Sequence, residues 1–185
     1  QTDQNQEKEM VKGIDFESQT KPMIVSSDDS LNLKGKYLDH ENTHQWVILI
    51  HGYKSSNENM MSYGATYYEH GYNVVLPDNR AHGESEGTYI GFGWLDRLDC
   101  IQWIHQVKDY FHKDLQIVLH GISMGSATVL MASGEKLPDD VKCIISDCGF
   151  TSVLDEFKHE LNKRHIPAPL ILPTATLLRK KRVGY

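Results

Sequence analysis

Residues Gln116 to Gly125, QIVLHGISMG, leave the backbone few options. Ile117 to Leu119 read as an apolar strand, Gly121-Ile122-Ser123-Met124-Gly125 breaks it, and the small residues that follow can continue as helix. A strand turning straight into a helix brings two backbones close together, and Gly121 and Gly125 lack the Cβ atoms that would collide there. Ser123 is left on a strained turn at the strand's carboxyl end. This is GxSxG in its strand-turn-helix setting, a nucleophile elbow. The helix starts under the serine, so the N–H of Met124 points to where an oxyanion would form, and the helix N-terminus favours negative charge there.

The rest of the chain supplies a frame for such a turn. Gln1 to about Thr20 is polar and patternless, a flexible lead-in or capping helix. Met23 to Ser27, then Leu31, Leu33 and Tyr37 alternating with polar residues, predict an antiparallel pair with one wet face. Trp46 to Ile50 (WVILI) is apolar without alternation, as in a parallel strand covered on both faces. Ser55 and Glu58 predict a capping box for a helix through about Glu69, closed by Gly71. Asn73 to Leu76 forms the next strand. Trp94, Leu98, Ile101, Ile104, Val107 and Phe111 recur at helical steps, and VKCIIS, Val141 to Ser146, predicts another covered strand. Ser152 and Asp155 cap a further helix with Val153, Leu154, Phe157 and Leu161 on its apolar side. Strands alternating with helices imply an α/β fold, a mostly parallel doubly wound sheet whose ligands bind at the strands' carboxyl ends. The expected organisation is a lead-in over 1–21, a core over 22–150 and a further segment over 151–185.

A chain of 185 residues with 39% hydrophobic residues can bury one core. A net charge of -6 argues against a nucleic-acid surface, which needs a basic face. Cys100, Cys143 and Cys148 are odd in number and lie in apolar surroundings, which predicts buried free thiols and a reducing, cytoplasmic setting. The sequence opens on Gln1, so a membrane-anchored or exported protein with its first segment removed is the alternative. No HxH, HExxH or CxxC spacing marks a metal, and no cofactor is expected. Gly91 and Gly93 lack the preceding strand and following Lys-Ser/Thr of a phosphate loop, so they read as a helix entry. The RKKR run from Arg179 reads as a solvated charge cluster.

With HGY after one strand, DNRAHGESEG after the next, GISMG at the elbow and SDCGF after the sixth, the sequence resembles an α/β-hydrolase of the bacterial serine-hydrolase or esterase type. The resemblance implies a small-molecule ester substrate, Ser123 as nucleophile, and an oxyanion hole made by the N–H groups of Tyr53 and Met124. It also implies that 151–185 begins a cap or lid. Ala81 stands where the family usually has Gly. In this fold the acid and histidine of the triad follow later strands, and only six strands are read here; the last strands, expected from the same protein beyond this chain, would carry them.

Asp147, ending the sixth strand, is the one candidate acid; Asp78 reads as a structural carboxylate. His51, His82 and His120 flank glycines at strand ends and read as loop-holding side chains. His159 falls on the polar side of its helix, and His165 has no nameable partner. A non-catalytic binding protein of the same fold, or a thioesterase or peptidase on the same site, are the competing readings. A downstream Asp loop and late His would separate the first from an enzyme.

Overall fold

The computed structural model describes residues 15–40, 42–111 and 114–183, which divide into two compact units, 1–149 and 150–185. The expected lead-in lies largely outside the described residues. Its described end, 15–19, is helical, and Phe16 there is buried against Tyr68. That anchor was hidden because one aromatic in a polar run carries no periodicity.

In the first unit, β1 (Lys21–Ser26) and β2 (Asn32–Leu38) pair antiparallel, turning Met23, Val25, Leu33 and Tyr37 inward. Next come β3 (Gln45–Ile50), α1 (Met61–Glu69), β4 (Asn73–Pro77), α2 (Asp96–Phe111), β5 (Gln116–Ile122), α3 (Met124–Ala132) and β6 (Val141–Asp147). The six described strands form one sheet ordered β1-β2-β4-β3-β5-β6, in which β2 meets β4 antiparallel and β4, β3, β5 and β6 run parallel.

Alternate β3 residues enter different cores, which is why WVILI lacks alternation. Trp46, Ile48 and Ile50 pack with Trp103, Ile104 and Val107 of α2 and Val129 of α3. Val47 and Leu49 pack with Met61 and Ala65 of α1. Helices therefore cover both faces, and the chain reverses direction of travel at β3, between β4 and β5. That reversal opens a crevice at the carboxyl ends of β3 and β5.

Several local expectations need correction. The Ser55–Glu58 capping box does not form: a 3₁₀ turn, Asn57–Met60, precedes α1, and the Asn57 N–H donates to Asp78 Oδ1 at 2.7 Å. A buried carboxylate outcompetes the serine hydroxyl as acceptor. Trp94 lies before α2 and is 48% exposed, with the Arg97 guanidinium over its ring at 3.8 Å. Cys100 is buried as expected, whereas Cys143 and Cys148 are exposed. Both belong to β6 or the turn after it, and β6 is a sheet edge with mostly exposed residues, not the covered strand its apolar texture predicts.

The second unit holds α4 (Val153–Lys163) and α5 (Ala168–Val183). Ser152 caps α4 as expected, its Oγ accepting from the Asp155 N–H at 3.2 Å. The two helices enclose an apolar groove of about 510 Å³, with Leu154, Leu172, Pro173 and Leu177 on its walls.

Candidate active site

At the junction of β5 and α3, Ser123 has φ 54° and ψ −112°. This sparsely populated conformation costs a non-glycine residue about 1–3 kcal/mol unless its surroundings enforce it. They do. The Ser123 N–H donates to the Asp147 carbonyl of β6 at 2.9 Å, and its own carbonyl accepts from the Ala127 N–H at 3.2 Å. A Cβ on Gly121 would run into the backbone of Gly125 and Ser126, and one on Gly125 into the carbonyls of Ile50 and His51. Both glycines are therefore demanded by backbone crossing.

Because Ile50 pairs with Gly121, the residues just past β3 lie level with the elbow. A Cβ built on Gly52 would stand 3.4 Å from Ser123 Cβ and 3.9 Å from its Oγ. Tyr53 thus follows a glycine beside which the serine occupies the space a side chain would touch. Met124 opens α3, where N–H groups lack partners inside the helix. Among the described residues, neither the Tyr53 nor the Met124 N–H donates to a backbone acceptor outside its own element. The fold brings Ser123, Tyr53 and Met124 together.

The three rim histidines differ in what remains available on their rings. His51 Nε2 accepts from the Asn79 N–H at 3.0 Å, so its Nδ1–H donates to the Gly52 carbonyl at 2.7 Å. Burial pushes its pKa down to about 4, against the pull of that carbonyl, so the ring is neutral. His82 is equally committed, Nε2 accepting from the Lys54 N–H at 3.2 Å and Nδ1 donating to the Arg80 carbonyl at 2.9 Å. Both brace the loops around Gly52. His120 turns to the α1 side, its Nδ1 3.0 Å from the Tyr67 hydroxyl, and its buried Nε2 has no partner among the described residues. Burial lowers its pKa, with the charge of Asp147 opposing. His159 is exposed, and His165 sits at φ 56° after α4.

Asp147 contributes its backbone carbonyl to the elbow, while its side chain is exposed and bonds to no histidine among the described residues. Asp78 is the structural carboxylate expected: besides the Asn57 N–H, it takes the Glu84 N–H at 3.0 Å, and Gly83 leaves it room. Ala81, the departure from the family's glycine, has φ 57°, the left-handed conformation glycine adopts at less cost.

Two features escaped sequence reasoning. Arg80 is buried and forks onto Asp99 at 2.6 and 2.7 Å and onto Asp29 at 3.0 and 3.1 Å, tying the loop after β4 to α2 and the first hairpin. The segment before α2 also reaches the site. Phe92, at φ 49°, stacks on Tyr53 with ring centroids 5.4 Å apart. The flanking Gly93 N–H donates to Asp96 Oδ2 at 3.0 Å, and burial raises the Asp96 pKa against that bond. The only sequence signal was a phenylalanine between two glycines.

Among the described residues no helix is long and apolar enough to cross a membrane, and no three His, Cys, Asp or Glu side chains converge as a metal would require.

The chain is similar to several known proteins. Protein YqkD of Bacillus subtilis (strain 168) is 27% identical over 163 residues, which cover 88% of this chain and 53% of that protein. The chain spans about half the length of the curated relatives it matches. The esterase Pf2001 of Pyrococcus furiosus superposes with a TM-score of 0.64 at 26% identity, covering 77% of this chain and 61% of that one. The esterase EaEST of Exiguobacterium antarcticum, 22% identical with a TM-score of 0.58 over 76% of this chain and 55% of that one, shares the fold. Residues 45–168, from the first covered strand through the elbow and β6, match the family described as alpha/beta hydrolase fold. With its sheet reversing at β3 and a strained serine at the resulting crevice, this chain belongs to the α/β-hydrolase fold family.

Proposed function

We propose that the protein is a serine hydrolase acting on small carboxylic esters. The observation that carries this reading is the conformation of Ser123, held at positive φ by close backbone crossings with Gly52 at its side. Strain of this kind at a crevice is where reactive side chains are found. Likeness to Pf2001 supports the ester as substrate class.

In the proposed reaction Ser123 Oγ attacks the ester carbonyl as a general base takes its proton. The N–H groups of Tyr53 and Met124 hold the oxyanion of the tetrahedral intermediate. Collapse breaks the bond to the alkoxy oxygen, which leaves as the alcohol with that proton. Water, deprotonated by the same base, then releases the acid and restores Ser123. The three rim histidines do not fill the role of base: His51 and His82 have both nitrogens engaged, and His120 faces α1. The base and its acid partner are therefore assigned to further strands of the same protein, which would pair along the free edge of β6. The exposure of β6 and the span of the relatives support that assignment.

The test is fluorophosphonate labelling of the complete protein, with Ser123→Ala beside it. Loss of labelling and a fall in ester turnover of roughly 10⁶-fold are expected. A Ser123→Ala protein that labels and turns over like wild type would refute the reading. The second reading, a binding protein of the same fold, is favoured by one observation: Ser123 Oγ accepts or donates no side-chain hydrogen bond to a described histidine. An unlabelled wild-type serine would favour it.

A further inference from the structure

An oxyanion hole works only while its donors stay within a few tenths of an ångström of position, and the Tyr53 donor lies in a loop. Lys54 beside it has φ 56°, the Ser55 N–H closes a turn onto the Gly52 carbonyl at 3.3 Å, and the Tyr53 side chain is 47% exposed. The ring is nevertheless placed. It stacks on Phe92 at 5.4 Å with 29° between the planes, and its edge meets His82 at 6.3 Å.

Phe92 is itself held. It takes φ 49°, rare for an aromatic residue, between Gly91 and Gly93. The Gly93 N–H is fixed by Asp96 Oδ2 at 3.0 Å. A Cβ on Gly93 would stand 3.3 Å from the Ala127 and Thr128 backbone of α3, so the segment rests on the helix that begins at Met124. One ring contact therefore joins the loop of the first donor to the helix of the second.

We propose that Phe92 is a positioning residue: its stack on Tyr53 clamps the loop after β3 against the segment seated on α3, and so keeps the two oxyanion donors in register. This rests on the ester hydrolysis proposed above. The clamp makes no new contact to substrate, so its effect belongs to the transition state, where donor placement counts most.

The test compares Phe92→Leu, which removes the aromatic face, with Phe92→Tyr, which keeps it, in the complete protein acting on 4-nitrophenyl acetate. Phe92→Leu should lower kcat about 10-fold with KM within about twofold, since a displaced donor costs transition-state rather than ground-state binding. Inhibition by a trifluoromethyl ketone, whose adduct on the serine carries an oxyanion, should weaken by about the same factor. Phe92→Tyr should restore both. Amide hydrogen exchange at Lys54, whose N–H donates to His82 Nε2 at 3.2 Å in the same loop, should quicken in Phe92→Leu alone, with Ile48 unchanged. Unchanged kcat, a change in KM only, or equal damage from both variants would overturn the clamp. If Ser123→Ala proved fully active, the reaction itself would have failed, and Lys54 exchange would decide: faster in Phe92→Leu sustains the clamp, unchanged overturns it.

Discussion

β5 and β6 run side by side, parallel, with nearly the same apolar texture, yet they experience opposite environments. Leu119 of β5 is 0% exposed and Ile145 of β6 is 36% exposed. The difference lies in neighbours. β5 is paired on both edges, with Ile117 and Leu119 in the core that holds Val129 of α3 and Val118 partly buried against the core that holds Met61 and Ala65 of α1, whereas among the described strands β6 pairs with β5 alone. An apolar run states that a strand can be buried; its place in the sheet decides whether it is. The elbow grows from the end of the buried strand, where the surroundings resist deformation, and it borrows only a backbone carbonyl from the exposed one.

Substitutions can break or sharpen that contrast. The largest effect is expected at the elbow, where Gly125→Ala drives a Cβ into the Ile50 and His51 carbonyls and should cost about 3 kcal/mol or more. Gly134→Ala, whose Cβ would meet only the Met131 carbonyl at 3.4 Å, is the control and should be near neutral in urea unfolding. An equal loss from both would mean that the crossing at the elbow is looser than described.

The strands themselves come next. Leu119→Ala should lose about 3 kcal/mol, within the range for a fully buried leucine, and Ile145→Ala below about 1 kcal/mol in this chain. If added strands of the complete protein cover β6, the Ile145→Ala cost should rise there towards that of Leu119→Ala. The pair of measurements thus reads the coverage of β6 directly.

A pH series probes the buried side through His51. Its folded pKa of about 4 lies below the ordinary 6.5, so between these values the unfolded chain binds more protons than the folded one. Stability should be fully present above about pH 6.5 and fall as the pH drops towards 4, by about 3 kcal/mol at most. His51→Gln should flatten that slope relative to wild type; identical slopes would show that the ring is already solvated. A local effect is expected at the α4 cap in the second unit, where Ser152→Ala should remove about 1 kcal/mol of helix stability, seen as lower helical signal in circular dichroism.

Much of the architecture was legible because it rests on local chemistry. Strand order along the chain, the wet first hairpin, the strand-turn-helix around Ser123 and the Ser152 cap each follow from periodicity, glycine placement or a hydroxyl at a helix start. The sequence by itself therefore determined the fold family and singled out the serine, since short-range steric rules act within a few residues. Only the tertiary structure decided which strand is an edge, so that Cys143 and Cys148 are exposed while Cys100 is buried. It likewise decided that Asp78 rather than Ser55 receives the amide before α1, that His51 and His82 have no nitrogen to spare, and that Phe92 meets Tyr53. These pairings join residues some twenty to forty positions apart, and no local periodicity encodes which distant group arrives first at a buried donor or an exposed ring.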